Sequence, residues 1–376
     1  MTSYQDAIDQ LTDRVDQTIE QVTDGFPHYG DPGSGRWTTS PNGDWTGGYW
    51  TGMLWLAHHR TGTDRYREAA ERWTELLRDR VNDETVFRGF LFWYGAALGH
   101  VLQGHAGARE MALAGAKGFA TLYNPAAGAI PLGSQAEEAT DVGRGDANVD
   151  CVQGCALLVW ASDELGDPTL REIGLNHARR HIEFCVRDDG SVCQSARFDP
   201  DTGAMLGRYT HKGYGDDSTW TRAQAWAMLG YATAAARAPE DPRFMQVARA
   251  TADWWLANKP EDHVAYWDFD APREPSTERD SSGSAIAAAA LLKLAALAEG
   301  SSAERYRNAA ASTVQALVDD YLTPTSPDDG REPGILTQGC YNHRIGLATQ
   351  NELIWGSYYL YEALHVLERY VDPLQI

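Results

Sequence analysis

Asp217-Ser218-Thr219-Trp220-Thr221-Arg222-Ala223-Gln224-Ala225-Trp226 gathers side chains that hold polar ligands into one short stretch. Two indoles, a guanidinium and a carboxamide fall in the first turns of a segment that reads as a helix, with Asp216, Asp217 and Ser218 as capping types upstream. Trp220 and Gln224 are spaced to share one face, and Arg222 and Trp226 nearly the opposite one. A helix offering its N-terminal end to a sugar has a use for Arg and Gln there. A Trp-rich core helix with a snorkelling Arg is the structural alternative. The carboxylate that stands out is Asp150, in the first turn of the otherwise apolar run Asp150–Trp160. To act as an acid it needs a pKa raised toward the working pH, so burial must outweigh the helix N-terminus. The alternative is a cap or dipole partner, a role open to Asp146 or Asn148 instead. Asp44, Asp217 and Asp280 also precede helices and read chiefly as caps; Glu352 has no evident role.

Helical periodicity runs from end to end and alternating strands are scarce. It predicts twelve helices: residues 4–22, 46–61, 64–80, 87–102, 106–122, 148–165, 168–186, 218–236, 242–258, 282–297, 302–321 and 351–371. The odd ones interleave charge with apolar positions, as in Arg67, Glu68, Glu71, Arg72 and Glu75. The even ones are poor in charge, as in Ala285–Leu292, and apolar all round means buried all round. Six such hairpins predict an all-α fold, an (α/α)6 barrel of six inner and six outer helices, as one domain over residues 1–376. An open α-solenoid would need a fixed repeat, and none is evident.

Alternation sends all inner helices the same way, so their N-termini share one rim. Aligned N-termini carry partial positive charge and free N–H donors, which suits an anion. Trp45, Trp50, Trp220, Trp226, Trp267 and Trp355 fall near that rim, and indoles beside carboxylates and amides suit the C–H faces and hydroxyls of a sugar. About half of the six are expected to touch a ligand.

The formal net charge is −21, with 4 Lys and 28 Arg making up the 32 basic residues. That sign excludes nucleic acid and anionic membranes as partners. The shortage of Lys is also compatible with life in high salt. No apolar run is long enough for a membrane span, and the first residues lack a signal pattern. The five cysteines are an odd number without zinc spacing, as expected of reduced thiols in a cytoplasmic protein. No cluster has metal-ligand spacing, so neither metal nor cofactor is expected. The chain is expected to act as a monomer or small homo-oligomer.

The chain resembles the unsaturated glucuronyl hydrolases, family 88 of the glycoside hydrolases, and their cousins the unsaturated rhamnogalacturonyl hydrolases of family 105. The matching segments are Asp44–Gly52, Asp150-Cys151 with Leu157–Ala161, Asp217–Trp226, Tyr266–Phe269 with Glu274-Pro275, Arg279–Ser282, and Ile354–Gly356 with Tyr358-Tyr359. The resemblance implies the same (α/α)6 barrel and an unsaturated uronic-acid-containing oligosaccharide as substrate. It also implies hydration of the C4=C5 double bond, with Asp150 as general acid/base. One carboxylate then suffices, where displacement at the anomeric carbon needs two. Sugar binding is implied for His211, Trp220, Arg222, Gln224 and Trp226, with Arg222 facing the anionic end, and Trp45, Phe87, Arg88 and Gln194 are expected to bind substrate with them.

Two positions depart from the family pattern. A second functional aspartate belongs in a His-Asp-x-Gly-Phe segment, which here reads Val86-Phe87-Arg88-Gly89-Phe90, with Phe87 in place of the Asp. Gln194 stands where a His is expected. Asp83 or Glu84 is a candidate substitute, and Arg88 a candidate to recruit another acidic group. The alternatives are an altered substrate or a non-catalytic sugar-binding homologue.

Overall fold

The computed structural model describes residues 2–137 and 143–376. Its helices in chain order are α1 Tyr4–Gln21, α2 Gly47–Thr61, α3 Asp64–Leu76, α4 residues 88–103, α5 Ala106–Ala120, α6 Cys155–Leu165, α7 Pro168–Cys185, α8 Thr221–Arg237, α9 Pro242–Asn258, α10 Ser281–Leu297, α11 Gly300–Asp320 and α12 Ile354–Leu367. The count matches the periodicity. Its physical basis is visible in burial: residues 221–235 of α8, 281–295 of α10 and 354–366 of α12 are buried on every side. By contrast, α3 buries only Tyr66, Ala69, Ala70, Trp73 and Thr74. The six even helices pack in a closed ring, α2 to α4 to α6 to α8 to α10 to α12 and back to α2, and the odd ones lie outside. This is the (α/α)6 barrel.

Several elements differ in kind from the periodic expectation. The inner helix α4 widens to π geometry over Trp93–Ala97, where Gly95 packs so tightly on Leu77 that a Cβ would sit 2.5 Å from it. Helix α3 stops at Leu76 and gives way to a 3-10 turn over Arg78–Asn82. Asp150 lies in a 3-10 turn, Val149–Gly154, and not in the first α-turn of α6. The Asn148 side chain accepts the Asp150 N–H at 3.0 Å, and Gln153 Nε2 donates to the Asp150 carbonyl at 3.1 Å, which holds the tighter turn.

The rim also carries strands that alternation did not reveal, because each is only two to five residues long. These are β1 Phe26–Gly30, β2 Trp37–Ser40, β3 Asp146–Asn148, β4 Ser195–Phe198, β5 Met205–Tyr209 and β6 Glu352–Leu353. They form two antiparallel sheets in the orders β2-β1-β6 and β3-β4-β5. The second sheet matters most for the site. Asn148 pairs with Ser195 across it, and Ser195 with Tyr209, so the Asp150 turn and the loop after β5 are tied to one frame.

Candidate active site

At the rim lies a small cavity of about 20 Å³, lined by Trp45, Phe87, Glu137, Asn148, Asp150, His211, Lys212, Trp220, Arg222 and Trp226. Its walls come from the starts of the inner helices. Trp45 lies just before α2, Phe87 is the N-cap of α4, Asp150 is in the turn leading to α6, and Trp220 is the N-cap of α8. The remaining two inner helices support it from behind: Asp280, the N-cap of α10, pairs with Arg222, and Trp355 of α12 packs against Trp45 with ring centroids 4.6 Å apart.

Trp220 is extended (φ −63°, ψ 129°), so helical phase starts at Thr221 and not at Ser218. Arg222 and Trp226 then face the cavity one turn apart, with Trp220 held over them by the cap. Gln224 points the other way. Its Nε2 donates to the carbonyls of Gly190 at 3.0 Å and Thr251 at 2.9 Å, tying α8 to the outer helix α9. Gln224 is thus placed in the packing between helices, away from the cavity where a sugar contact was expected.

Arg222 lines the cavity, and three of its N–H donors are engaged inside the protein while Nε is buried without a hydrogen-bond partner among the described residues. It pairs with Asp280 at 2.8 Å, donates to the Tyr341 carbonyl at 2.5 Å and bonds the Cys340 carbonyl. The guanidinium stacks on Trp220 at 4.3 Å. Arg88 lies outside the cavity altogether, bonded to the Val81 carbonyl, with burial pulling its pKa down to about 10. Among the described residues no acid forms an ion pair with it, and its side chain runs under Gly118.

Gln194 is an anchor for the loop that follows β5. Its Oε1 accepts from Thr210 Oγ1 at 2.6 Å, His211 N at 3.2 Å and Lys212 N at 3.1 Å. Those three donors fix the orientation of the amide, so Nε2 faces His211 Nε2 at 3.1 Å. An amide N–H₂ only donates; His211 Nε2 must therefore accept, which assigns the Nδ1–H tautomer. Gln194 itself does not line the cavity.

The expected substitutes for the missing aspartate are engaged elsewhere. Asp83 pairs with Arg80, and Glu84 accepts from Ser134 Oγ at 2.6 Å. The second carboxylate in the cavity comes from Glu137, which pairs with Arg80 and accepts from Thr85 Oγ1 at 3.4 Å. Burial, with Asp44 nearby, raises its pKa, and Arg80 opposes the shift. Phe87 extends an aromatic wall instead, 6.2 Å from Trp45 and 5.6 Å from Phe90. Of the six rim tryptophans, Trp45, Trp220 and Trp226 line the cavity. Trp50 packs edge-on against Trp73, Trp355 donates to Ser282 Oγ at 3.1 Å, and Trp267 stacks on His343.

Sequence reasoning passed over Glu137, Asn148 as a lining residue, and Lys212. Glu137 sits in a loop with no periodicity to mark it. Lys212 did leave a signal: it is one of only four lysines and follows His211 directly.

No family model matches the chain. It is 37% identical over 372 residues to the unsaturated glucuronyl hydrolase of Bacillus sp. (strain GL1), covering 97% of both chains. The chain belongs to the unsaturated glucuronyl hydrolases. The crystal structure of that Bacillus sp. GL1 enzyme superposes with a TM-score of 0.90 at 36% identity, over 98% of this chain and 97% of that one. The unsaturated chondroitin disaccharide hydrolase of Streptococcus pyogenes serotype M1 is 29% identical, over 95% of this chain and 89% of its own. The protein is a glycoside hydrolase, and relatives named as hydrolases do not favour a non-catalytic reading. Among the described residues no helix is long and apolar enough to cross a membrane, and no group of three or more His, Cys, Asp or Glu is placed to hold a metal ion.

Proposed function

We propose that the protein releases a 4,5-unsaturated uronic acid from the non-reducing end of lyase-generated oligosaccharides, with Asp150 as general acid/base. The observation that carries this reading is the cavity itself. In a chain of this family it gathers one carboxylate on a tight turn, three indoles and a basic residue at the starts of the inner helices. A relative of known structure, 36% identical with a TM-score of 0.89, was solved with dGlcA-Glc-Rha-Glc, which supports an unsaturated uronide as ligand.

The Asp150 carboxyl gives its proton to C4, and positive charge develops at C5, shared with the ring oxygen. As water adds at C5, the Asp150 carboxylate takes a proton from it, so the residue returns to its starting state. The C5 hemiketal opens to a ketone, and the hemiacetal left at C1 expels the aglycone alcohol. The net change is one water consumed. Trp45, Trp220 and Trp226 supply faces for the sugar, and His211, as the Nδ1–H tautomer, supplies a hydrogen-bond donor.

Five unbridged, buried cysteines support a reducing compartment, and we place the enzyme in the cytoplasm as a monomer or small homo-oligomer. The test is loss of the ultraviolet absorbance of the conjugated enol ether on incubation with unsaturated disaccharides from glycosaminoglycan, xanthan and ulvan lyases. Absorbance that stays constant with every such uronide would sink the reading.

A further inference from the structure

Asp150 sits on a 3-10 turn, whose hydrogen bonds are poorer than those of an α-helix. A carboxyl that must meet one carbon atom needs a firmer mounting than that. Two side chains supply it. Asn148 Oδ1 accepts the Asp150 N–H at 3.0 Å, and Gln153 Nε2 donates to the Asp150 carbonyl at 3.1 Å. Asn148 is itself fixed by its pairing with Ser195 in the sheet. Gln153, 3% exposed, is fixed by other inner helices. Its Oε1 faces two hydroxyls, Tyr94 of α4 at 2.8 Å and Tyr359 of α12 at 3.0 Å. The two hydroxyls are themselves 2.6 Å apart.

We infer that Gln153 is a positioning residue for the reaction, a clamp whose grip on Asp150 is set by the hydroxyls of Tyr94 and Tyr359. Those partners settle the orientation of the amide. A hydroxyl can donate to Oε1 and the Asp150 carbonyl can only accept, so oxygen faces the tyrosines and nitrogen faces Asp150. Each hydroxyl has one proton to give. With Tyr94 donating to Oε1, Tyr359 donates to Tyr94 Oη. The result is a chain from Tyr359 to Tyr94 to Gln153 to Asp150, in which each bond polarises the next. If the Tyr94 hydroxyl is removed, Tyr359 is close enough to donate to Oε1 directly, so either hydroxyl alone can hold the amide. Tyr94 lies in the π segment Trp93–Ala97, a widening of α4 of the kind that recurs at functional sites. The rings pack separately from the hydroxyls: Tyr94 against Tyr49 with centroids 4.6 Å apart, and Tyr359 against the cavity wall Trp226 at 5.5 Å. Phe at either position keeps that packing and removes only the hydroxyl.

This inference rests on Asp150 as the acid/base, and the test separates the two. The wild type is compared with Tyr94→Phe, Tyr359→Phe, the double Phe variant and Gln153→Leu, each below its melting transition. Two quantities are read: kcat and KM for an unsaturated disaccharide, and hydrogen exchange of the amides of Val149–Gly154. Each single Phe variant is expected to lower kcat about twofold, and the double variant at least about tenfold, more than the product of the two. Gln153→Leu should lower kcat by at least as much, with KM in every variant within about twofold of wild type. Exchange at the turn should quicken in the same order, while the rest of the barrel exchanges as before. A folded double variant or Gln153→Leu with wild-type kcat overturns the inference, as does a loss that appears in KM instead, or a turn that exchanges no faster than in the wild type. If the wild type turns over no unsaturated uronide, or Asp150→Asn is as fast as wild type, hydration by Asp150 falls, and exchange at the turn still decides whether Gln153 clamps it.

Discussion

Arg222 and Asp280 form an ion pair at 2.8 Å in which the side chains are 1% and 0% exposed, joining the N-terminal ends of two inner helices. The same guanidinium reaches the Cys340 and Tyr341 carbonyls, so three separate segments meet on one residue. Arg222→Met is expected to destabilise the fold by about 3–5 kcal/mol, because Asp280 is left buried and uncompensated. Arg222→Lys should recover only part of this, since one ammonium does not reproduce the planar fork. Urea unfolding measures it. A variant of wild-type stability with only KM raised would instead make Arg222 a substrate contact.

Asp150→Asn keeps the size of the side chain and removes the transferable proton. Turnover of an unsaturated disaccharide is expected to fall about 10²–10⁴-fold, the usual contribution of a positioned acid/base, with KM altered far less. The readout is the rate of absorbance loss at saturating substrate. An Asp150→Asn enzyme that is as fast as wild type removes Asp150 from the mechanism.

Gln194 holds its loop with the amide oxygen and sets the His211 tautomer with the amide nitrogen. Gln194→Glu keeps an acceptor for Thr210, His211 N and Lys212 N, but now presents a second acceptor to His211 Nε2. His211 should move its hydrogen to Nε2, visible in imidazole ¹⁵N chemical shifts, with turnover reduced. Gln194→Ala is expected to cost about 1–3 kcal/mol by leaving buried donors unmet, and to raise KM. Unchanged imidazole shifts in Gln194→Glu would contradict the tautomer assignment.

Stability should fall on mild acidification. Burial lowers the pKa of His181 and of His365 to about 4, and pushes that of His177 well below the ordinary value. The unfolded chain takes up these protons near pH ~6.5, whereas the native protein resists until far lower. Their contribution is therefore complete above about pH 6.5 and lost as pH falls toward about 4, at roughly 1.4 kcal/mol per pH unit for each histidine. His177 carries the effect to the site: it accepts from Ile130 N at 3.0 Å and is 3.1 Å from the Cys151 carbonyl, next to Asp150. A melting temperature that does not change between pH 7.5 and pH 5 would refute this.

The barrel was legible because burial leaves a strong periodic trace. An inner helix such as Ser281–Leu297 is apolar on every face, and an outer one such as Asp64–Leu76 on one stripe only. The site was legible where it rides on that periodicity. Trp45, Asp150, Trp220, Arg222 and Trp226 stand at helix starts, and all five line the cavity. Reading failed where the backbone leaves the helix. One extended residue at Trp220 turned Gln224 away, a 3-10 turn replaced the α-turn at Asp150, and Glu137 and Lys212 came from loops whose path depends on distant partners. Side-chain type alone did not reveal that Arg222 is paired with Asp280.

The ring of helices is shut by residues far apart in the chain. Arg14 of α1 bonds Glu352 at 2.7 Å across a separation of 338 positions, and Thr12 Oγ1 meets Tyr361 Oη at 2.8 Å. Tyr341 and Trp355, which brace Lys212 and Trp45, belong to the segments that arrive last at this seam. Contacts of such span are slow to form, because the chain must surrender much of its freedom before they reward it. A ribosome-bound chain lacking α12 therefore has no finished pocket, however well its earlier hairpins have formed. Competence to hold a sugar arrives in one late event, when the seam closes.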